Sequence, residues 1–240
     1  MKTSILSLLL LFFFCSFCTG QTGSIQSKIG TALNNCFREQ STVPLTVVYE
    51  QLQKQNNRMV PYWQAYTLFY ESIYYLKTGQ KELCEATLQK AEDLLNKQKN
   101  RTSEEYALLA YLQSFSIQFK SGMEAGKISA SVNTNAEKAL QLDSTNLRAW
   151  YVLGSTDYYT PTAFGGGQKA ENYLKKAVHL PAQAMPNPWL PDWGKDEAYG
   201  MLIRLYLDKG QKEEARIYYE TLKQQVPESY LIGEYAEKFR

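Results

Sequence analysis

Apolar residues recur at helical spacing along most of this chain. Near the C-terminus, Leu231, Tyr235 and Phe239 follow one another every four residues, which predicts an amphipathic helix. Two further stretches, 77–91 (KTGQKELCEATLQKA) and 208–222 (DKGQKEEARIYYETL), share Gly-Gln-Lys-Glu at the same position. Each is typical of two helices joined by a glycine turn. The pattern therefore predicts an all-α protein built from helical pairs.

One of these helical pairs begins with a known motif. In NLRAWYVLG, Trp150, Leu153 and Gly154 have the W-x-x-L-G spacing of the tetratricopeptide repeat (TPR), so the chain resembles the TPR family. The resemblance implies an α-solenoid, because a single helical pair has an apolar stripe that only a stacked neighbour can bury. This unit departs from the motif at Asp157, which stands where its first helix should have a tyrosine.

The repeat frame of about 34 residues divides the chain into segments. We predict an array over 65–229 with about four TPR-like units, at 65–98, 103–146, 147–184 and 196–229. A signal peptide (1–20) and an N-terminal segment with capping helices (21–64) precede the array, and a capping helix (230–240) ends it.

The N-terminus has the pattern of an export signal. A single charge at Lys2 precedes an apolar run, and small or polar residues lead to Gly20, the expected cleavage point. The apolar run is too short for a stable bilayer anchor and no second long run follows, so we expect no membrane span in the mature chain. Cys15 and Cys18 each follow a bulky phenylalanine, which argues against a lipid anchor. We expect a periplasmic or secreted protein.

Composition and charge argue against several classes of function. The chain has an ordinary globular composition, with 44% hydrophobic and 21% charged residues. Its net charge of +2 without a basic face argues against a nucleic-acid partner. The one histidine, His179, has no second histidine for a metal pair, and no G-x-S-x-G motif supplies a nucleophile. We therefore expect no enzymatic activity, no cofactor and no metal.

Two cysteines, Cys36 and Cys84, remain after signal cleavage, in a compartment that permits disulfides. Cys84 stands at a repeat position that favours a small buried residue, where later units have Ala170 and Ala215. Two alternatives stay open: two buried thiols, or a disulfide that ties the N-terminal cap to the first unit.

The stretch 160–177 (TPTAFGGGQKAENYLKKA) contains the string G-x-G-x-x-A of a dinucleotide-binding turn. No strand is predicted before it, and the P-loop pattern fails because Gln168 separates Gly167 from Lys169. We interpret the stretch as a long turn between helices. In a second interpretation, the amides around Gly166 and the dipole of the next helix receive an anionic ligand or a partner's carboxylate. Exported TPR proteins, including the T-components of TRAP-type solute transporters, look similar in having such glycine-rich insertions.

A proline-rich segment, 186–194 (PNPWLPDWG), contains Trp189 and Trp193. Prolines favour stiff, extended backbone, so the two indoles either pack onto the array or face a ligand or partner. Both residues are therefore candidates for a binding site.

By resemblance to the family, the first helix of each unit lines an inner groove that binds a partner. Tyrosine and arginine are residue types that often dominate binding energy, and the chain has 18 tyrosines. The candidate groove residues are Tyr66, Tyr70, Tyr111, Arg148, Tyr151, Tyr158 and Arg204, and the candidate loop residues are Gly166, Trp189 and Trp193. Aromatic residues at helical spacing also form cores, so we expect this set to divide between core and site.

Two functions fit these observations. The first is an exported, non-enzymatic scaffold that binds a protein or peptide partner in its concave groove. The second, which the resemblance to T-components implies, is a periplasmic component of a transport system. Its small anionic or apolar solute would bind where the extended turn of the third unit and the tryptophan segment close a pocket.

Overall fold

The computed structural model describes residues 23–181 and 187–240, which form eleven α-helices and no β-strand. In chain order the helices are α1 (Ile25–Glu39), α2 (Val43–Gln53), α3 (Val60–Lys77), α4 (Lys81–Asn96), α5 (Ser103–Ser116), α6 (Gly122–Leu142), α7 (Leu147–Tyr159), α8 (Ala170–His179), α9 (Lys195–Asp208), α10 (Lys212–Gln225) and α11 (Leu231–Ala236). The predicted all-α class is confirmed. The predicted signal peptide lies outside the described residues, and no helix within them is both long and apolar enough to cross a bilayer.

The helices pack as consecutive pairs. α3 packs against α4, α5 against α6, α7 against α8 and α9 against α10, which gives four repeat units. A further pair, α1 and α2, precedes them, and α11 packs on α10 at the other end. Neighbouring units stack through α4 on α5, α6 on α7 and α8 on α9. This is the predicted α-solenoid with capping helices at both ends.

The first helices of successive units form one inner face. α3 contacts α5, α5 contacts α7 and α7 contacts α9. A capping box fixes the N-terminus of α5. In it, Glu105 accepts a hydrogen bond of 2.8 Å from the backbone N–H of Thr102. Arg58, which lies just before α3, donates to both carboxylate oxygens of Glu105 at 2.6 and 2.7 Å. The first two units are therefore joined by polar contacts as well as apolar packing.

Close approach within the third unit depends on a glycine. A Cβ at Gly154 in α7 would lie 2.6 Å from Cγ of Leu174 in α8. Ala170 and Ala177 of α8 are likewise fully buried. Small residues at these positions let the two helices meet, as the motif predicts.

The two remaining cysteines do not pair. Cys36 in α1 and Cys84 in α4 are both buried and neither forms a disulfide. Burial raises the pKa of each thiol. The structure thus has the first of the two alternatives, in which the two thiols are buried and pack as small apolar side chains.

Candidate binding site

The inner groove over α3, α5 and α7 is filled by the protein's own residues 187–194, which we call the groove segment. Trp193 lies deepest and is only 3% exposed. Its ring stacks on Tyr111, with ring centroids 4.8 Å apart, and on Tyr66 at 6.2 Å. It meets Tyr151 edge to face at 6.3 Å. The tyrosines that the sequence predicts as groove residues thus pack around an internal tryptophan.

Hydrogen bonds fix the groove segment at several points. Nε1 of Trp193 donates to the hydroxyl of Tyr62 at 2.7 Å, and its backbone N–H donates to Oε1 of Gln26 in α1 at 3.1 Å. Nε1 of Trp63 donates to the carbonyl oxygen of Trp189 at 3.0 Å. Trp189 is partly buried and its side chain packs against the core, so both indoles of the segment lie against the array.

Arg148 is part of the same packing. Its side chain is 7% exposed and donates through Nε and Nη2 to the carboxylate of Glu104, at 2.5 Å each. Nη1 donates to the carbonyl oxygen of Trp193 at 3.3 Å. Burial is the largest influence and acts to lower the pKa of Arg148, but the hydrogen bonds to Glu104 and the nearby negative charges together raise the pKa. Arg148 thus holds the groove segment and is not an open contact for a partner.

The other predicted groove residues divide between packing and surface. Tyr70 is half-buried, and its hydroxyl lies 3.1 Å from that of Tyr66. Tyr158, at the end of α7, hydrogen-bonds Asp208 of α9. Arg204 of α9 is exposed.

The glycine-rich turn uses its amides internally. The carboxylate of Asp157 accepts hydrogen bonds from the backbone N–H groups of Lys169 and Ala170, at 2.8 Å each, and so caps the start of α8. The carbonyl oxygen of Asp157 accepts from the N–H of Gly167 at 2.8 Å. Asp157, the residue that departs from the repeat motif, thus occupies the position that an anionic ligand would need.

The glycines of this turn have a structural role. Gly165 and Gly167 have φ values of +83° and +78°, which favour glycine. A Cβ at Gly166 would lie 1.9 Å from the carbonyl oxygen of Thr160. The chain can make this turn only with glycine at position 166.

Beside the filled groove lies an open cleft of about 980 Å³. One wall is the end of α5 with the start of α6, and the other is the end of α7 with the turn that follows it. Its aromatic lining residues are Tyr111, Phe115, Tyr151, Tyr159 and Phe164, and small residues of α6 line it at Gly122, Ala125, Gly126 and Ser129. We call this space the aromatic cleft.

The aromatic cleft has an exposed rim and a polar atom in its wall. Tyr159 is 60% exposed and Phe164 is 82% exposed. Thr156 is 7% exposed, and its buried hydroxyl oxygen has no hydrogen-bond partner among the described residues. Lys120 is the only charged residue among the described ones that line the cleft, and it pairs with Glu85 at 3.0 Å. The surface thus favours an apolar ligand with at least one hydrogen-bonding group.

Tyr159 has a cationic neighbour. Nη1 of Arg204 donates a hydrogen bond of 3.0 Å to the hydroxyl oxygen of Tyr159. The sequence analysis predicts Arg204 and Tyr158, the neighbour of Tyr159, as groove residues. It does not name Tyr159, Phe164 or Thr156. The available signal was the predicted extended turn, because Tyr159 immediately precedes it and Phe164 lies within it.

Within the described residues, no group of three or more His, Cys, Asp or Glu side chains could hold a metal ion.

Comparison with known proteins supports the fold. No protein-family model and no curated protein matches the chain. A thermophilic TPR protein from Thermus thermophilus is similar in structure, with a TM-score of 0.56 and 19% identity over 89% of this chain and 98% of that chain. The HusA haemophore from Porphyromonas gingivalis is similar with a TM-score of 0.54 and 20% identity, over 79% of this chain and 96% of that chain. The likeness is one of fold, and the chain has a TPR-like α-solenoid fold, as the W-x-x-L-G motif predicts.

Proposed function

We propose that this protein is a non-enzymatic binding protein that holds a flat, largely apolar small ligand in the aromatic cleft. The proposal rests on one contrast between the two regions. Trp193 fills the inner groove and is 3% exposed, whereas the cleft is open and Phe164 at its rim is 82% exposed. Contiguous exposed aromatic surface around a concavity is typical of a binding site.

The shape and lining of the cleft favour one class of ligand. Its volume of about 980 Å³ is at the upper end of the usual range for small-molecule sites. Aromatic walls stack well on flat rings. The unpartnered hydroxyl of Thr156 supplies one donor for a carbonyl or carboxylate oxygen of the ligand, since a buried hydroxyl is costly without a partner.

A tetrapyrrole such as haem is our candidate ligand. It is flat, apolar over most of its surface and carries carboxylates at one edge. One of the proteins that this chain resembles in fold is described as a haemophore. That description suggests which ligand to test, and the aromatic lining of the cleft supports the same choice independently.

A protein or peptide partner is the second candidate. The groove segment occupies the place that the sequence prediction gave to a bound peptide. A partner would instead dock at the cleft rim, where Phe164 and the nearby Met123 are 82% and 78% exposed. Apolar side chains at such exposure are typical of docking surfaces. The resemblance to transporter T-components stays a prediction, as does the identity of a partner.

Export from the cytoplasm is also part of the proposal. It rests on the sequence of residues 1–20 alone. Intact-mass analysis of the protein recovered from fractionated cells tests it, and a chain that still begins at Met1 in the cytoplasmic fraction would contradict export.

Titration of the purified mature chain with haemin and with metal-free protoporphyrin IX tests the ligand proposal. We expect saturable quenching of tryptophan fluorescence with a Kd below about 10 μM for at least one of them, because Trp193 contacts Tyr111 and Tyr151 of the cleft wall. No saturable binding of either compound would contradict the tetrapyrrole proposal.

The variant Thr156→Val gives a sharper version of the same test. Valine removes the unpartnered hydroxyl without changing the shape of the side chain, so the ligand-free protein should be as stable as the wild type or more stable. Ligand affinity should fall about five- to tenfold. Unchanged affinity would show that the hydroxyl does not contact the ligand.

A photo-crosslinking residue at position 123 tests the second candidate. If the chain binds no tetrapyrrole, one crosslinked protein that is lost when Phe164→Glu is added would favour a protein partner.

A further inference from the structure

The aromatic cleft contains one side chain that is suited to bind a metal at the centre of a ligand. We infer that Tyr159 binds the iron of a ferric tetrapyrrole through its phenol oxygen, and that Arg204 orients this oxygen by a hydrogen bond. The inference rests on the proposed function and adds the chemistry by which the site distinguishes iron-bearing from metal-free ligands.

Elimination points to tyrosine. The described residues that line the cleft include no histidine, cysteine, methionine, aspartate or glutamate. Three of the lining residues are tyrosines: Tyr111, Tyr151 and Tyr159. Phenolate oxygen is a hard donor that suits Fe(III), and tyrosine is an established axial ligand of haem iron.

Burial separates Tyr159 from the other two tyrosines. Tyr151 is 8% exposed, and Tyr111 and Tyr151 both pack against Trp193. Burial raises the pKa of both, which opposes formation of a phenolate. Tyr159 lines the cleft and is 60% exposed, so a ligand in the cleft can contact its side chain.

Arg204 holds the phenol oxygen of Tyr159 in place. Its guanidinium donates a hydrogen bond of 3.0 Å to that oxygen. Glu234 lies 3.8 Å from Nη2 of the same guanidinium, so Nη1 remains directed at Tyr159. An arginine stays protonated near neutral pH, so this donor is present over the whole working range.

The binding step needs no redox change. The O–H bond of Tyr159 breaks and its proton passes to water, while the phenolate oxygen forms a bond to Fe(III). The water molecule bound to the iron of free haemin leaves. Iron stays ferric throughout, and one proton is released for each bond formed.

The adjacent tyrosine provides a matched control. Tyr158 lies on the same helix, with its ring centroid 4.9 Å from that of Tyr159. Its hydroxyl hydrogen-bonds Asp208 rather than Arg204, and it does not line the cleft. Loss of this hydroxyl should leave iron binding unchanged.

The experiment compares Tyr159→Phe with Tyr158→Phe in the mature chain, titrated with haemin and with metal-free protoporphyrin IX. We expect the wild type and Tyr158→Phe to show tyrosinate modes in the resonance Raman spectrum of the ferric complex. Tyr159→Phe should lose these modes and bind haemin at least about tenfold more weakly, with protoporphyrin affinity unchanged within about twofold. Circular dichroism checks that each variant is folded.

Two results would overturn the inference. If the wild type binds haemin without tyrosinate modes, or if Tyr159→Phe retains them, the iron ligand is wrong and the cleft still binds tetrapyrroles. If neither tetrapyrrole binds the wild type, the proposed ligand fails and the assignment of Tyr159 fails with it.

A variant of the arginine tests whether its hydrogen bond positions the phenol oxygen. In Arg204→Gln, the tyrosinate modes of the ferric complex should weaken and haemin affinity should fall about fivefold, with protoporphyrin affinity unchanged. Arg204→Lys keeps a charged donor and should restore most of the affinity. Unchanged tyrosinate modes and haemin affinity in Arg204→Gln would remove Arg204 from the inference.

Discussion

The inner groove and the aromatic cleft lie side by side and share Tyr111 and Tyr151, yet one is closed and the other is open. In the groove, aromatic rings surround Trp193, which is 3% exposed. In the cleft, aromatic rings line an open concavity, and Phe164 at its rim is 82% exposed. The difference does not come from the helices that line the two regions. It comes from the groove segment, which covers only the groove.

This contrast shows that a row of tyrosines along the inner helices does not by itself mark the binding site of a TPR-like fold. When another segment of the chain covers such a row, the tyrosines become part of the core. Their side chains then stabilise the fold and are not available to bind a partner. Substitutions in the two regions should therefore differ in kind, and the predictions below compare them pair by pair.

The largest effect should come from the tryptophan that fills the groove. Trp193→Ala removes a fully packed indole and its hydrogen bond to Tyr62, so we expect a loss of about 3–5 kcal/mol in the free energy of unfolding. Phe164→Ala in the cleft should change stability by less than about 0.5 kcal/mol. Urea denaturation of both variants measures the difference. Equal effects would mean that Trp193 does not fill the groove.

The charged pairs of the two regions should differ in the same way. Arg148→Met leaves the carboxylate of Glu104, 17% exposed, without its partner, and should cost about 3 kcal/mol. Lys120→Met breaks the cleft's pair with Glu85, whose two side chains are 30% and 31% exposed, and should lower stability far less than Arg148→Met. A small effect of Arg148→Met in thermal denaturation would show that the groove segment is held without it.

A glycine of the turn after α7 and a glycine of α6 that lines the cleft should respond in opposite directions. Gly166→Ala places a Cβ 1.9 Å from the carbonyl oxygen of Thr160 and should destabilise the protein by about 2 kcal/mol or more. Gly126→Ala in α6 meets no atom within 4 Å and should stabilise it by about 0.5–1 kcal/mol, through helix propensity. Destabilisation by Gly126→Ala would mean that the cleft is not open at this point.

The smallest effect is a pH dependence at the end of the groove segment. Burial, with the hydrogen bond and charge of Asp196, raises the pKa of Glu197 well above its ordinary value of 4.5. The folded state then binds a proton that the unfolded state has released, so stability should fall as pH rises above about 4.5. Glu197→Gln should reduce this fall, as measured by denaturation at several pH values. An equally steep fall in the variant would assign the effect to another group.

The sequence predicted the fold well because the repeat motif is local. Gly154 reports a close helix contact within one unit, and its spacing from Trp150 can be read directly from the chain. The site was harder to predict because Trp193 reaches the groove from a loop more than forty residues after Tyr151. Periodicity shows which face a tyrosine is on, but not what covers that face. Asp157 likewise looked like a break in the motif, and only the structure shows that it caps α8.

The central claim is that ligand binds in the aromatic cleft and not in the groove. Gly126→Phe tests it most directly, because its side chain would fill the cleft from α6, where no atom lies within 4 Å of the added Cβ. Gly30→Phe is the matched control, since Gly30 in α1 is equally unobstructed and lies outside the cleft. We predict that haemin affinity falls at least about tenfold in Gly126→Phe and is unchanged in Gly30→Phe, with both variants folded. Equal affinity in the two variants would contradict the account.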